Sequence, residues 1–172
     1  MSTTHATSAH KEKVVQDHLV SQLVAGQGYL RRDPKADYDR ALAMDRALVL
    51  RFLQDTQPEE WAKLVTHYAT SAEDTLFTQL ARALKDRGLL DVLRSGLKIV
   101  PGIRFALCFF RPASGIEPKR IAEFEANILS VMDEVEYSQK HGGRLDVVLF
   151  LNGLPVATIE AKNLLTGSTF RH

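Results

Sequence analysis

Leu145-Asp-Val-Val-Leu-Phe-Leu-Asn-Gly-Leu-Pro-Val-Ala-Thr-Ile-Glu-Ala-Lys162 decides how the chain is read. Its first part, Leu145–Leu151, is the strongest strand signal in the sequence: short, apolar and rich in β-branched residues. Asn152-Gly153 is a turn dipeptide, and Pro155–Lys162 reads as the returning strand of a hairpin. Asp146 stands at the mouth of the first strand, while Glu160 and Lys162 lie two residues apart on the second. Side chains alternate along a strand, so Glu160 and Lys162 share a face. Charges placed beside so apolar a hairpin are costly unless they are paired or bind a metal.

Parity sets a condition. Were Leu151 to pair with Leu154 around a two-residue turn, Asp146 would face Ile159, and Glu160 would point to the other side of the sheet. A shared face requires a loop of odd count or a bulge. The expectation is a three-residue loop, Asn152-Gly153-Leu154, that sets Asp146 across from Glu160.

Two carboxylates and an ammonium in this pattern suit metal-dependent hydrolysis of a phosphodiester. Mg²⁺ takes oxygen ligands, often one or two carboxylates with water completing the shell. Asp146, Glu160 and the carbonyl of Ala161 are candidate ligands, and Lys162 can orient or deprotonate the attacking water. The same alternation also describes an ordinary half-exposed strand with Glu160 and Lys162 in water, and Asp-x(13)-Glu-x-Lys is a short pattern.

Outward from the hairpin, the first half is helical. Helices are expected over about 11–25, about 38–54, from Pro58 through Trp61 and Tyr68, and from a Thr70-x-x-Glu73 capping box to Gly88, with a short turn over Leu90–Leu93. After Gly96 the apolar run Phe105–Phe110 reads as a strand. Pro118 opens a helix carrying Ile121, Phe124, Ile128, Leu129 and Met132 on one side, followed by a weaker strand at Val135–Tyr137. His141-Gly-Gly143 and Thr166–Thr169 read as loops. The sum is an α/β or α+β arrangement of helices around a small sheet.

The 172 residues fit one domain, expected over 11–172 behind a polar tail at 1–10. The net charge of +1 excludes a uniformly basic coat, so any DNA contact must be a local patch. Lys98, Arg104, Arg111, Lys119, Arg120, Lys140 and Arg144 bias the later chain, and Arg104 and Arg144 are the candidate phosphate contacts. The single cysteine, Cys108, excludes an internal disulfide framework and suits a core position in a reducing, cytoplasmic setting. No segment is apolar enough for a membrane span. No Gly-x(4)-Gly-Lys-Ser/Thr loop is present to cradle ATP, and no His pair or Gly-x-Ser-x-Gly elbow supports zinc or serine chemistry.

The wording around the hairpin, 146 to 163, closely resembles the signature of type I restriction subunits. Other pieces match in order: Gly28-Tyr29, Tyr38-Asp-Arg40, Gln57-Pro-Glu59 with Trp61, Leu89–Gly96, Phe109-Phe-Arg-Pro112, Glu125-Ala-Asn127 and Thr166-Gly167. The resemblance covers nearly all of the chain after residue 10. It implies a restriction-endonuclease-like core, a mixed sheet flanked by helices with a helical N-terminal half, and a Mg²⁺-dependent DNA endonuclease of the PD-(D/E)XK type. Asp146 corresponds to the family's Asp, and Glu160 and Lys162 to its Glu-x-Lys. Glu12 stands where many enzymes of this fold carry a first-helix Glu near the metal, although a solvated first-turn Glu is an equal reading. The resemblance also implies double-stranded DNA, methylation and specificity subunits, and helicase-like motor domains as partners, with ATP used only by those motors. The family's Gln-x-x-x-Tyr motif follows the Thr-Gly segment, and the chain ends at His172 before one occurs, as if cut within a longer protein. The alternative is a nuclease-fold module that binds DNA or a neighbouring subunit without cleaving.

Overall fold

A computed structural model describes residues 3–113, 117–137 and 143–160, with side chains from residue 12 onward. Its hairpin core is the one expected. β5 (Arg144–Leu151) and β6 (Leu154–Ile159) pair antiparallel, and β4 (Leu129–Glu136) flanks β5 on its other side. The two-residue β1 (Leu30–Arg31) pairs parallel with β4, giving a mixed sheet of order β1-β4-β5-β6. The sheet is thus that of a mixed α/β domain, as the restriction-endonuclease-like expectation requires.

α1 (Thr3–Gln27) covers one face of the sheet through Val20, which is buried against Val131 and Val147. It begins at Thr3, where the sequence placed a polar tail up to residue 10. The opposite face buries Met132, Val135, Val148 and Phe150, with the Tyr38 ring edge-on to Phe150 at 6.2 Å. The largest core lies beside the sheet. There α2 (Arg46–Thr56), α3 (Pro58–Tyr68), α4 (Ala72–Arg87) and α5 (Leu89–Ser95) pack on a separate antiparallel hairpin, β2 (Leu97–Ile99) and β3 (Ile103–Phe105), and on Leu154 of β6.

Four expectations give way, each for a physical reason. The second helix starts at Arg46, not near residue 38. Asp39 Oδ1 accepts the amides of Ala41 and Leu42 and turns the chain there, and Asp45 caps α2 by accepting the Leu48 amide at 3.0 Å. The Thr70–Glu73 capping box does not form: Ala69–Ser71 is a 3₁₀ turn, and α4 starts after Ser71 without a side-chain cap. The acidic first-turn residues Glu73 and Asp74 instead favour that helix end through its dipole.

The run Phe105–Phe110 is a strand only as far as Phe105. Beyond it, side-chain amides replace a neighbouring strand. Gln57 donates to the Ala106 carbonyl at 3.0 Å and accepts the Ala106 amide at 2.7 Å; Asn127 does the same for Phe109 at 2.7 and 3.1 Å. Buried backbone groups need partners, and here three amide residues supply them, Asn152 binding the Leu107 carbonyl. Finally, the helix from Pro118 ends at Glu125 (α6, Pro118–Glu125), because Asn127 Nδ2 turns back to the Phe124 carbonyl at 2.8 Å. Ile128, Leu129 and Met132 therefore do not extend it, and Leu129–Glu136 is the full-length strand β4. Residues 138–142 and 161–172, which include part of the His141 loop, the end of the expected return strand, Ala161, Lys162 and the Thr166–Thr169 loop, lie outside the described residues.

Candidate active site

The placement of Asp146 and Glu160 begins at the far end of their hairpin. Leu151 pairs with Leu154, so the turn has two residues, Asn152 (φ 51°) and Gly153 (φ 83°), both left-handed as a type I′ turn demands. The expected three-residue loop is therefore absent. The turn is held from three sides. The buried Asn152 accepts the Ile128 amide at 2.6 Å and donates to the Leu107 carbonyl and to Asn127 Oδ1, both at 2.9 Å. The Asn152 amide meets the Ile128 carbonyl at 2.8 Å, and the Asp45 amide meets the Gly153 carbonyl at 2.9 Å. A Cβ on Gly153 would strike that Asp45 carbonyl and Val49, so only glycine fits.

From this anchor a bulge changes the parity. Phe150 pairs with Pro155, but Leu149 pairs with Ala157, leaving Val156 as the extra residue. Val148 then faces Thr158 and Val147 faces Ile159. The observed pairing ends at Val147–Ile159, where β6 stops; continued by one step, the same register would set Asp146 opposite Glu160. The sequence required an odd loop or a bulge for a shared face, and the hairpin uses the bulge. Asp146 is half-buried and Glu160 exposed.

The strand mouth is built from charges that sequence reasoning missed. Gln16, buried to 4% exposure on α1, donates from Nε2 to the Asp146 carbonyl at 2.9 Å and ties that helix to the strand mouth. On β4, Glu134 sits across from Asp146 with φ 60°, between the pairs Asp133–Val147 and Val135–Leu145. The left-handed residue breaks the alternation of the strand. Two consecutive carboxylates consequently turn toward α1, where Lys13 Nζ lies 3.4 Å from Asp133 and 3.7 Å from Glu134. Arg31 bonds both oxygens of the nearly buried Asp133 at 3.2 Å, and Arg144 pairs with Glu134. The Lys13 ammonium is shifted up: burial pulls its pKa down, but hydrogen bonds to Asp17 and Asp133 and their charges outweigh it. Neither the i, i+3 spacing of Lys13 and Gln16 nor the acidic pair inside an apolar run distinguishes these residues from solvated surface.

The other predicted residues divide. Arg144 opens β5 and lines a polar groove of about 550 Å³ with Lys35, Tyr38 and Arg40 beside the strand mouth. Arg104 is on the separate β2–β3 hairpin, so the two arginines do not flank one sheet. Glu12 is half-buried on α1, next to Lys13. Among the described residues no three His, Cys, Asp or Glu side chains gather closely enough to hold a metal, so Glu12, Asp146 and Glu160 do not form a three-carboxylate cage. Two facing carboxylates still fit Mg²⁺, which commonly binds one or two and keeps its waters. Cys108 is buried as expected, and burial pushes its thiol pKa up. Among the described residues no helix is long and apolar enough to cross a membrane.

A mixed sheet flanked by helices, with a bulged hairpin at its edge, defines a mixed α/β domain consistent with a nuclease-like fold. The chain belongs to the family described as type I restriction enzyme R protein N terminus, whose model matches residues 10–171. No curated protein and no solved structure matches it.

Proposed function

We propose that this domain is the DNA-cleaving part of a type I restriction enzyme R subunit, hydrolysing phosphodiester bonds of double-stranded DNA with Mg²⁺. The bulge at Val156 carries the reading: without it, Asp146 would face Ile159, and the two acids would stand on opposite sides of the sheet. Asp146, Glu160 and the Ala161 carbonyl are the oxygen ligands in this reading. When bound, the metal would lower the pKa of a water and offset charge on the phosphate. Lys162, two residues beyond Glu160, orients the attacking water or stabilises the developing charge. Gln16 holds the Asp146 main chain in place. Glu12, on α1, is a further candidate ligand in this reading.

In this reading the complete subunit carries motor domains that use ATP to translocate DNA, and methylation and specificity subunits select the site. In the complete enzyme, Asp146→Ala and Lys162→Ala are expected to abolish strand cleavage while leaving ATP hydrolysis and translocation intact. Cleavage that survives either change defeats the assignment. Simultaneous loss of all three activities would mean that the residues support folding or docking instead.

A further inference from the structure

From Val92 to Ile116 the chain contains no Asp or Glu but carries Arg94, Lys98, Arg104 and Arg111. In a chain of net charge +1 this is a concentrated run of positive charge. The fold gathers Arg94, Lys98 and Arg104 on one surface. Lys98 and Arg104 are direct cross-strand partners in the β2–β3 hairpin, and both stand on its exposed face, since Leu97, Ile99, Ile103 and Phe105 take the buried one. Arg94, from the last turn of α5, lines the same shallow cavity of about 230 Å³, and Phe110 lies at its rim, 62% exposed.

The usual partners are missing. Most cations of the domain have a carboxylate within salt-bridge reach, including Lys13, Arg31, Arg32, Arg40, Arg87 and Arg144. Among the described residues, none of Arg94, Lys98, Arg104 and Arg111 does. Glu60, whose carboxylate meets the hairpin backbone, is occupied by Lys63 and by the Arg104 main-chain amide. Like charges directly opposite on a sheet are destabilising. A rigid hairpin that presents such a pair, with a third cation and an exposed aromatic ring beside it, is built for an anion that arrives from outside.

We propose that this face is a second DNA contact, gripping duplex phosphates at a distance from the strand mouth. The segment leaving β3 is tied to Asn152, at the turn end of β5, so the patch belongs to the opposite end of that strand from Asp146. Five residues of strand separate the two ends, about 17 Å at the usual rise. Duplex DNA bound at Asp146 extends well beyond the scissile phosphate, with a negative charge for about every 1.7 Å of axis. The contact positions the duplex without reading bases. Its purpose rests on the nuclease reading; its affinity for DNA does not.

The test is DNA binding by the full-length R protein, followed by fluorescence anisotropy on a non-specific duplex over a range of salt, without ATP or divalent metal. Lys98→Ala/Arg104→Ala is expected to weaken binding and to make the plot of log K against log salt shallower by about 1.8, roughly 0.9 for each phosphate no longer neutralised. Both side chains are exposed, and an unchanged thermal melt verifies the fold. An unchanged slope and affinity overturn the proposal, and weakened assembly with the other subunits at constant DNA affinity would assign the face to a protein instead. Asp146→Ala is expected to keep the full slope in this assay and, in a separate reaction supplied with Mg²⁺ and ATP, to lose cleavage. Cleavage retained there overturns the nuclease reading alone, because the slope of the patch variant is read independently.

Discussion

Asn152 is the residue on which the hairpin hangs, and its removal has a calculable cost. The side chain is buried at 1% exposure and makes three hydrogen bonds, to the Ile128 amide, the Leu107 carbonyl and Asn127. At about 1 kcal/mol net for each, their loss in Asn152→Ala costs about 3 kcal/mol. The backbone adds to this. At φ 51° an asparagine is tolerated, but an alanine carries about 1 kcal/mol of left-handed strain. The expected total is about 4 kcal/mol, a large fraction of the roughly 5–15 kcal/mol that stabilises a domain. Asn152→Gly loses the same bonds without the strain, so it should be less destabilising than alanine by about 1 kcal/mol. Urea unfolding followed by circular dichroism measures both, and the midpoints convert through a shared slope. An alanine variant within about 1 kcal/mol of wild type would refute the network, since at least one buried carbonyl is left without its donor. A glycine variant as damaging as alanine would refute the strain argument while leaving the network standing.

The remaining expectations are narrower. Ser130 Oγ is buried in β4 with no hydrogen-bond partner among the described residues, so Ser130→Ala should raise stability by about 1 kcal/mol in the same unfolding assay; a loss would reveal an overlooked partner. The Glu60 carboxyl is held below its ordinary range by hydrogen bonds from Lys63 and then from the Arg104 amide, despite the opposing effect of desolvation. Its folded pKa is therefore below the unfolded value of about 4.3. The stability this gives is complete above that pH and is lost as pH falls through the lowered folded value. An NMR titration should place Glu60 below a typical Glu, and Glu60→Gln should flatten that part of the acid limb; an ordinary midpoint would discount the pairing.

Legibility followed range. The hairpin could be read because its signals are local: an apolar alternating run, a dipeptide that accepts left-handed angles, and a return strand. Pro58 and Gly88 marked helix limits equally locally. The bulge could not be read, because Val156 differs in no way from a regularly paired residue. The start of β4 reads as helix because Ile121, Phe124, Ile128 and Met132 keep near-helical spacing across a break that Asn127 makes by bonding backward to Phe124. The strand mouth was half legible. Asp146 and Glu160 announce themselves as charges beside apolar strands, whereas Lys13, Gln16 and Arg31 reach it across more than a hundred residues of sequence.

The words that carry the family resemblance turn out to divide by role. Gln57, Asn127 and Asn152 lie in three separate matched pieces, and the fold gathers their amides around one irregular segment, residues 106–109. Tyr38-Asp39-Arg40 likewise packs on Phe150, turns the chain before α2 and pairs with Glu136. Gln57, Asn127 and Asn152 secure the turn end of β5–β6, whereas Arg40 braces the opposite end through Glu136, the partner of Arg144; the secured turn together with the Val156 bulge sets the register between them. A match to the family over residues 10–171 is therefore chiefly evidence that the hairpin is framed in this way. In the proposed reading the chemistry stands on fewer residues, Asp146, Glu160 and Lys162. A substitution in the amide network is expected to lower cleavage and stability together, whereas one at the strand mouth should remove cleavage from a domain that still unfolds at the wild-type midpoint. That separation divides the residues that build the site from those that use it.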